Sequence, residues 1–93
     1  MVINMVYNIS YDLHDPGQKY EQLHELIVEV SNNRLVHPLK STYVIQSSKT
    51  SEQIYNSLSA ALDSNDLILI TEINHNFYGA LTKKYWPRIK NLF

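Results

Sequence analysis

"RLVHPLKSTYVIQSS", residues 34–48, is apolar and β-branched enough to be extended chain, yet it is too long for one ordinary strand and carries Pro38 near its start. Proline donates no backbone hydrogen bond, so it is tolerated at a strand end and not inside a central strand. The stretch therefore divides into a short strand over 34–37, a turn through 38–40 and a second strand over 41–47. This hairpin decides the fold, because it places two strands between two helical segments.

Upstream, residues 3–11 alternate, with Ile3, Met5, Tyr7, Ile9 and Tyr11 on one face and Asn4, Val6, Asn8 and Ser10 on the other, the pattern of a half-buried strand. Asp15-Pro16-Gly17-Gln18 reads as a helix start, with Asp15 at the N-cap, Pro16 at the first helical position and Gln18 reaching back as in a capping box. Tyr20, Leu23, Ile27 and Val30 give that helix a core-facing stripe, and Ser31-Asn32-Asn33 stops it. Downstream, Thr50-Ser51-Glu52-Gln53 is a second capping box; Ile54, Leu58, Ala61 and Leu62 form the next stripe, and Asp63-Ser64-Asn65 ends it.

"DLILITEI", residues 66–73, has the composition of a central or well-covered strand. The remainder is expected to be helical in two pieces broken near Pro87, with Leu81, Tyr85, Ile89 and Phe93 facing inward. The order β-α-β-β-α-β plus a C-terminal helical tail is the ferredoxin-like, α+β plan. Right-handed crossovers predict an antiparallel sheet of order 4-1-3-2 with both helices on one face. One domain spans 1–93, its core over about 3–73 and its extension over 77–93. The end of strand one, the hairpin turn and the 63–66 turn then share one edge, and His75 lies at the other. The opposite sheet face, with Val6, Asn8 and Ser10, suits pairing with another copy or cover by the tail, and an isologous dimer is the expected outcome.

Composition narrows the function classes. With 93 residues, 44% hydrophobic and 18% charged, the chain is an ordinary globular domain. It has no cysteine, which excludes disulfides and thiolate metal sites. No apolar run approaches the roughly 20 residues that span a bilayer, and no signal-peptide pattern opens the chain, so no membrane partner and a cytoplasmic location are expected. The net charge of −1 hides an asymmetry: all nine acids lie in residues 1–76, against four bases, whereas 77–93 hold Lys83, Lys84, Arg88 and Lys90 and no acid. Contact with a polyanion belongs on that last segment, and the body lacks the basic stripe of nucleic-acid binders. Glycine occurs only at 17 and 79 and no serine lies in a nucleophile elbow, so neither a phosphate-cradling loop nor an acyl-transfer site is present.

The candidate chemistry gathers near "YDLHDPGQ", residues 11–18. Asp12 at a strand end could hold a hard cation such as Mg²⁺ or Mn²⁺, or could simply accept N–H bonds that shape the turn. His14 and His37 are expected at the same edge, where two imidazoles and the Asp12 carboxylate would suit Zn²⁺, although no HxxxH or HxH pair supports the set and solvated surface histidines are the simpler reading. His24 reads as a boundary residue of the first helix and His75 as loop. In the tail, Phe77, Tyr78, Tyr85 and Trp86 beside Lys83, Lys84, Arg88 and Lys90 could stack bases or anchor a partner protein, or could dock on the chain's own sheet.

Three segments carry a family resemblance: Ile9-Ser10-Tyr11-Asp12-Leu13, Ser41-Thr42-Tyr43-Val44 and "LDSNDLILITEI" at 62–73, with "SYDL" and "PGQ.Y" in the same order. Over about residues 5–73 the chain resembles the small CRISPR-associated Cas-two-like superfamily, nearest to its branch labelled SinR-like. The resemblance implies a ferredoxin-like homodimer and, from some relatives, a metal-dependent nuclease whose metal-binding aspartate matches Asp12. His14, Asp15 and Pro16 stand where an arginine or lysine often follows that aspartate. Two functions are therefore expected. The first is a non-catalytic dimer that binds and modulates a larger nucleic-acid-processing effector, carried by a phage or mobile element, for example as a CRISPR inhibitor. The alternative is a metal-dependent endonuclease or nucleic-acid-binding dimer using Asp12.

Overall fold

The computed structural model describes residues 3–93, without the side chains of Pro16 and Gln18. Its elements run β1 (Met5–Asp12), α1 (Pro16–Ser31), β2 (Leu35–Leu39), β3 (Thr42–Ser47), α2 (Ser51–Leu58) with a 3₁₀ turn at Ser59–Ala61, β4 (Leu67–Ile73) and α3 (Tyr85–Lys90). The architecture is α+β. Four strands form one antiparallel sheet in the order β2-β3-β1-β4, compatible with a small ferredoxin-like domain.

Local chemistry accounts for most boundaries. Helix α1 stops where Asn32 and Asn33 take left-handed conformations, φ 50° and 64°, which asparagine tolerates better than most residues. Their N–H groups close on the carbonyls of Glu29 and Val28 at 3.2 and 2.9 Å, capping the orphan acceptors of the last turn. The second capping box forms in full: Thr50 Oγ1 accepts from the Gln53 N–H, and Gln53 Oε1 accepts from the Thr50 N–H. Asp15 stands at the N-cap of α1, but its side chain makes no capping bond, and the Gln18 side chain lies outside the described residues.

The alternation of β1 sorts the core into two layers. Tyr7, Ile9 and Tyr11, with Tyr43 and Ile45 of β3, meet Leu23 and Ile27 of α1 and Ile54 and Leu58 of α2. On the reverse face, Val6, Val36 and Val44 meet Ile89 and Leu92 from the end of the chain, with Phe77, Leu81 and Tyr85 packed around them. The tail is thus a third layer, docked on the chain's own sheet.

Four expectations need correction. Pro38 lies inside β2, tolerated because β2 is an edge strand whose pairing with β3 is irregular between Val36 and Leu39. The helical structure after Thr50 tightens into the 3₁₀ turn at Ser59. The segment 74–84 is irregular, so one six-residue helix replaces two, and Leu92, not Phe93, is the final anchor. Strand β4 is neither central nor well covered: it lies at the second edge, where the expected order 4-1-3-2 places it, and Leu67 and Leu69 are 65% and 67% exposed.

Candidate functional site

The end of β1, the β2–β3 turn and the turn before β4 do meet at one edge of the sheet. The Tyr11 hydroxyl donates to the Lys40 carbonyl at 3.1 Å, and Asp66 accepts from the His14 N–H at 2.8 Å. Asp66 also accepts from the Asp63 N–H at 2.8 Å and pairs with Lys19 at 3.0 Å; Lys19 further contacts Asp63. The Asp66 side chain has no solvent contact. The backbone N–H groups of Asp63 and His14, and then the Lys19 ammonium, lower its pKa to about 2. Asp66 and Lys19 thus form a structural staple between α1 and the last turn. No sequence pattern singled them out, although the closely spaced Asp63 and Asp66 of "DSND" are the signature of a side-chain-supported turn.

The proposed metal ligands do not fit a shared site: among the described residues there is no group of three His, Asp or Glu that could hold an ion. His14 contributes its backbone here. His37 stacks on Tyr43, ring centroids 4.0 Å apart and planes within 10°, and its Nε2 donates to the Lys40 carbonyl at 3.1 Å. That assignment leaves Nε2 protonated and unfit for a metal. The Tyr11 hydroxyl lies 3.4 Å from the same nitrogen, and His24 Nδ1 lies 2.7 Å from the Tyr43 hydroxyl. Burial raises the pKa of Tyr11 and Tyr43, so both stay neutral hydrogen-bonding groups. His24 and His37 therefore tie two core tyrosines to helix and hairpin.

Asp12 is the exception. It is exposed at the end of β1, opposite Leu67, and its carboxylate has no hydrogen bond among the described residues. The turn-shaping role available to Asp12 is held by Asp66.

The tail carries the most accessible recognition chemistry. Tyr78 stacks on Trp86 (6.0 Å), Trp86 on Phe77 (6.3 Å) and Phe77 on Phe93 (5.7 Å), and Phe93 meets His75 at 4.4 Å with the planes tilted, a ladder of five rings. Tyr78 at its end is 98% exposed. Lys83, Lys84, Arg88 and Lys90 are exposed on the same segment, and the Lys84 ammonium sits 5.1 Å from the Tyr85 ring centroid. Gln46 and Arg34 donate to the Leu92 and Asn91 carbonyls at 2.7 and 2.8 Å, which fixes the chain end. An apolar groove of about 270 Å³ opens between Phe77, Tyr78 and Trp86 on one side and Leu39, Thr42 and Asn8 on the other.

On the far face, α1 presents Glu21, Glu25 and Glu29, all exposed, at successive four-residue intervals. Like charges at i, i+4 oppose the helix, and Glu29 near its C-terminus also opposes the macrodipole. The ridge therefore adds charge to the surface at some cost to the helix. Comparison with family models, curated proteins and solved structures gives no match.

Proposed function

We propose that the chain is a Cas-two-like, ferredoxin-like homodimer that acts without catalysis, binding and modulating a larger nucleic-acid-processing effector. The observation that carries this reading is the acidic ridge of Glu21, Glu25 and Glu29, exposed along one face of α1. A surface built to hold phosphates is basic, and an acidic ridge on a rigid helix competes for it through complementary charge. Affinity of this kind falls with salt as the charges are screened. The experiment is capture of proteins from a host lysate with the wild-type chain and with Glu21→Gln/Glu25→Gln/Glu29→Gln. An effector held by the wild type and released by the triple variant supports the reading; equal retention by both, or no retained protein, overturns it.

A second reading, a metal-dependent endonuclease, is favoured by one feature: the exposed Asp12 carboxylate is not used in its own turn. A hard cation such as Mg²⁺ or Mn²⁺ needs few protein carboxylates and keeps several waters, so one Asp12 from each of two copies could flank a phosphodiester. Labelled RNA and DNA incubated with Mg²⁺ or Mn²⁺, with and without chelator, test it. Cleavage that disappears in Asp12→Ala supports this reading, and cleavage that persists unchanged rejects it.

A further inference from the structure

The two edges of the sheet are treated differently. Along β2, Pro38 and the irregular pairing between Val36 and Leu39 interrupt the outer edge, and α3 packs against the same strand. These are the devices by which edge strands are protected from further pairing. Strand β4 also has a helix against it, α2, but neither a proline nor a bulge: LILITEI is seven residues long, contains no proline, glycine or lysine, and among the described residues pairs only with β1, without a register shift. Alternate residues of such a strand turn an N–H and a C=O outward with no partner strand. Exposed apolar side chains flank the open edge on both faces, Leu67 and Leu69 on one side and Tyr55 of α2, 46% exposed, on the other.

We infer that the open edge of β4 pairs with β4 of a second copy, antiparallel about a two-fold axis at Ile70, joining the two sheets into one of eight strands. This rests on the homodimer reading above and supplies its interface; it is independent of the acidic ridge. An open backbone edge is completed by another strand, and β4 complements itself. With the axis at Ile70, Leu67 meets Ile73, Leu69 meets Thr71 and Ile68 meets Glu72, each across the pair. The full strand is used, and the two Glu72 carboxylates stand about 13 Å apart at roughly 3.3 Å per residue. Moving the axis to Leu69 would set Asp66 opposite Glu72, and like charges directly opposite are unfavourable. The arrangement is isologous, so it closes at two copies.

Two measurements on the full chain decide it. Light scattering across a concentration series should show a dimer in the wild type and a monomer in Leu67→Lys/Leu69→Lys. Both substitutions fall on exposed side chains, and an unchanged circular dichroism spectrum and melting temperature verify that the variant folds. Amide hydrogen exchange separates this interface from any other. In the wild-type dimer every amide from Ile68 to Glu72 should be protected, and in the variant alternate ones should exchange at the solvent-exposed rate. A wild-type dimer whose outward β4 amides exchange freely overturns the β4 interface and leaves the homodimer reading standing. A wild type that is monomeric throughout overturns both.

Discussion

Asp66 shows how one side chain can hold a turn without any sequence motif announcing it. Its carboxylate joins the backbone of two loops to Lys19, and those contacts hold its pKa near 2 against an ordinary 3.8. Because the folded-state value is the lower one, the charge stabilises the fold at any pH above about 3.8, and that stabilisation is lost as pH falls from there through about 2. Thermal melts of the wild type should therefore drop over this window, whereas Asp66→Asn should melt lower at neutral pH and show a flatter acid limb. Tyr43 makes a second test at this scale. Its hydroxyl meets His24 at 2.7 Å while its ring fills the core, so Tyr43→Phe should cost about 1 kcal/mol by urea unfolding. The sequence placed His14 and His37 at one edge of the sheet, without bringing them into a shared site. Their actual partners were not legible, because carbonyls and ring stacks leave no trace in residue spacing.

At the level of elements, the best-read signals were those carried by contiguous residues. The Thr50–Gln53 box forms as its spacing predicts, and Thr50→Ala should destabilise the protein by about 1 kcal/mol in chemical denaturation. The same pattern at Asp15 does not give a side-chain cap, since Asp15 forms no bond to the first turn. The hairpin was legible from Pro38, although the strand runs through the proline to Leu39 because an edge position asks no hydrogen bond of it. Strand β4 was misjudged for the opposite reason. Its unbroken apolar run is the composition of a strand covered on both faces, whereas the edge position that the expected order 4-1-3-2 already gave it leaves Leu67 and Leu69 exposed.

Across the whole molecule, the tail converts a two-layer domain into three layers. Val6, Val36 and Val44 would face water without Ile89 and Leu92. Ile89→Ala should cost about 2–4 kcal/mol and release the tail first, which limited proteolysis within residues 78–84 would detect before global unfolding. The docked tail also concentrates cations and stacked rings on one side while the acidic ridge lies on α1, so the chain presents two surfaces of opposite charge. Releasing the tail should therefore abolish contacts made by the aromatic ladder and leave those of the ridge intact.

The sequence by itself determined the four strands and the first two helices, including the one that begins at Pro16, the alternation that buries Tyr7, Ile9 and Tyr11, and the charge asymmetry between body and tail, because each depends on propensities and periodicities within a few residues. The tertiary structure decided which carboxylate is consumed, where Asp66 takes the turn and Asp12 remains exposed, with no bond among the described residues. It also decided which edge of the sheet is guarded. Those outcomes depend on residues more than fifty positions apart being brought within hydrogen-bond distance, as His14 and Asp66 are, and on which side chains pack over each edge, and neither is encoded in any local pattern.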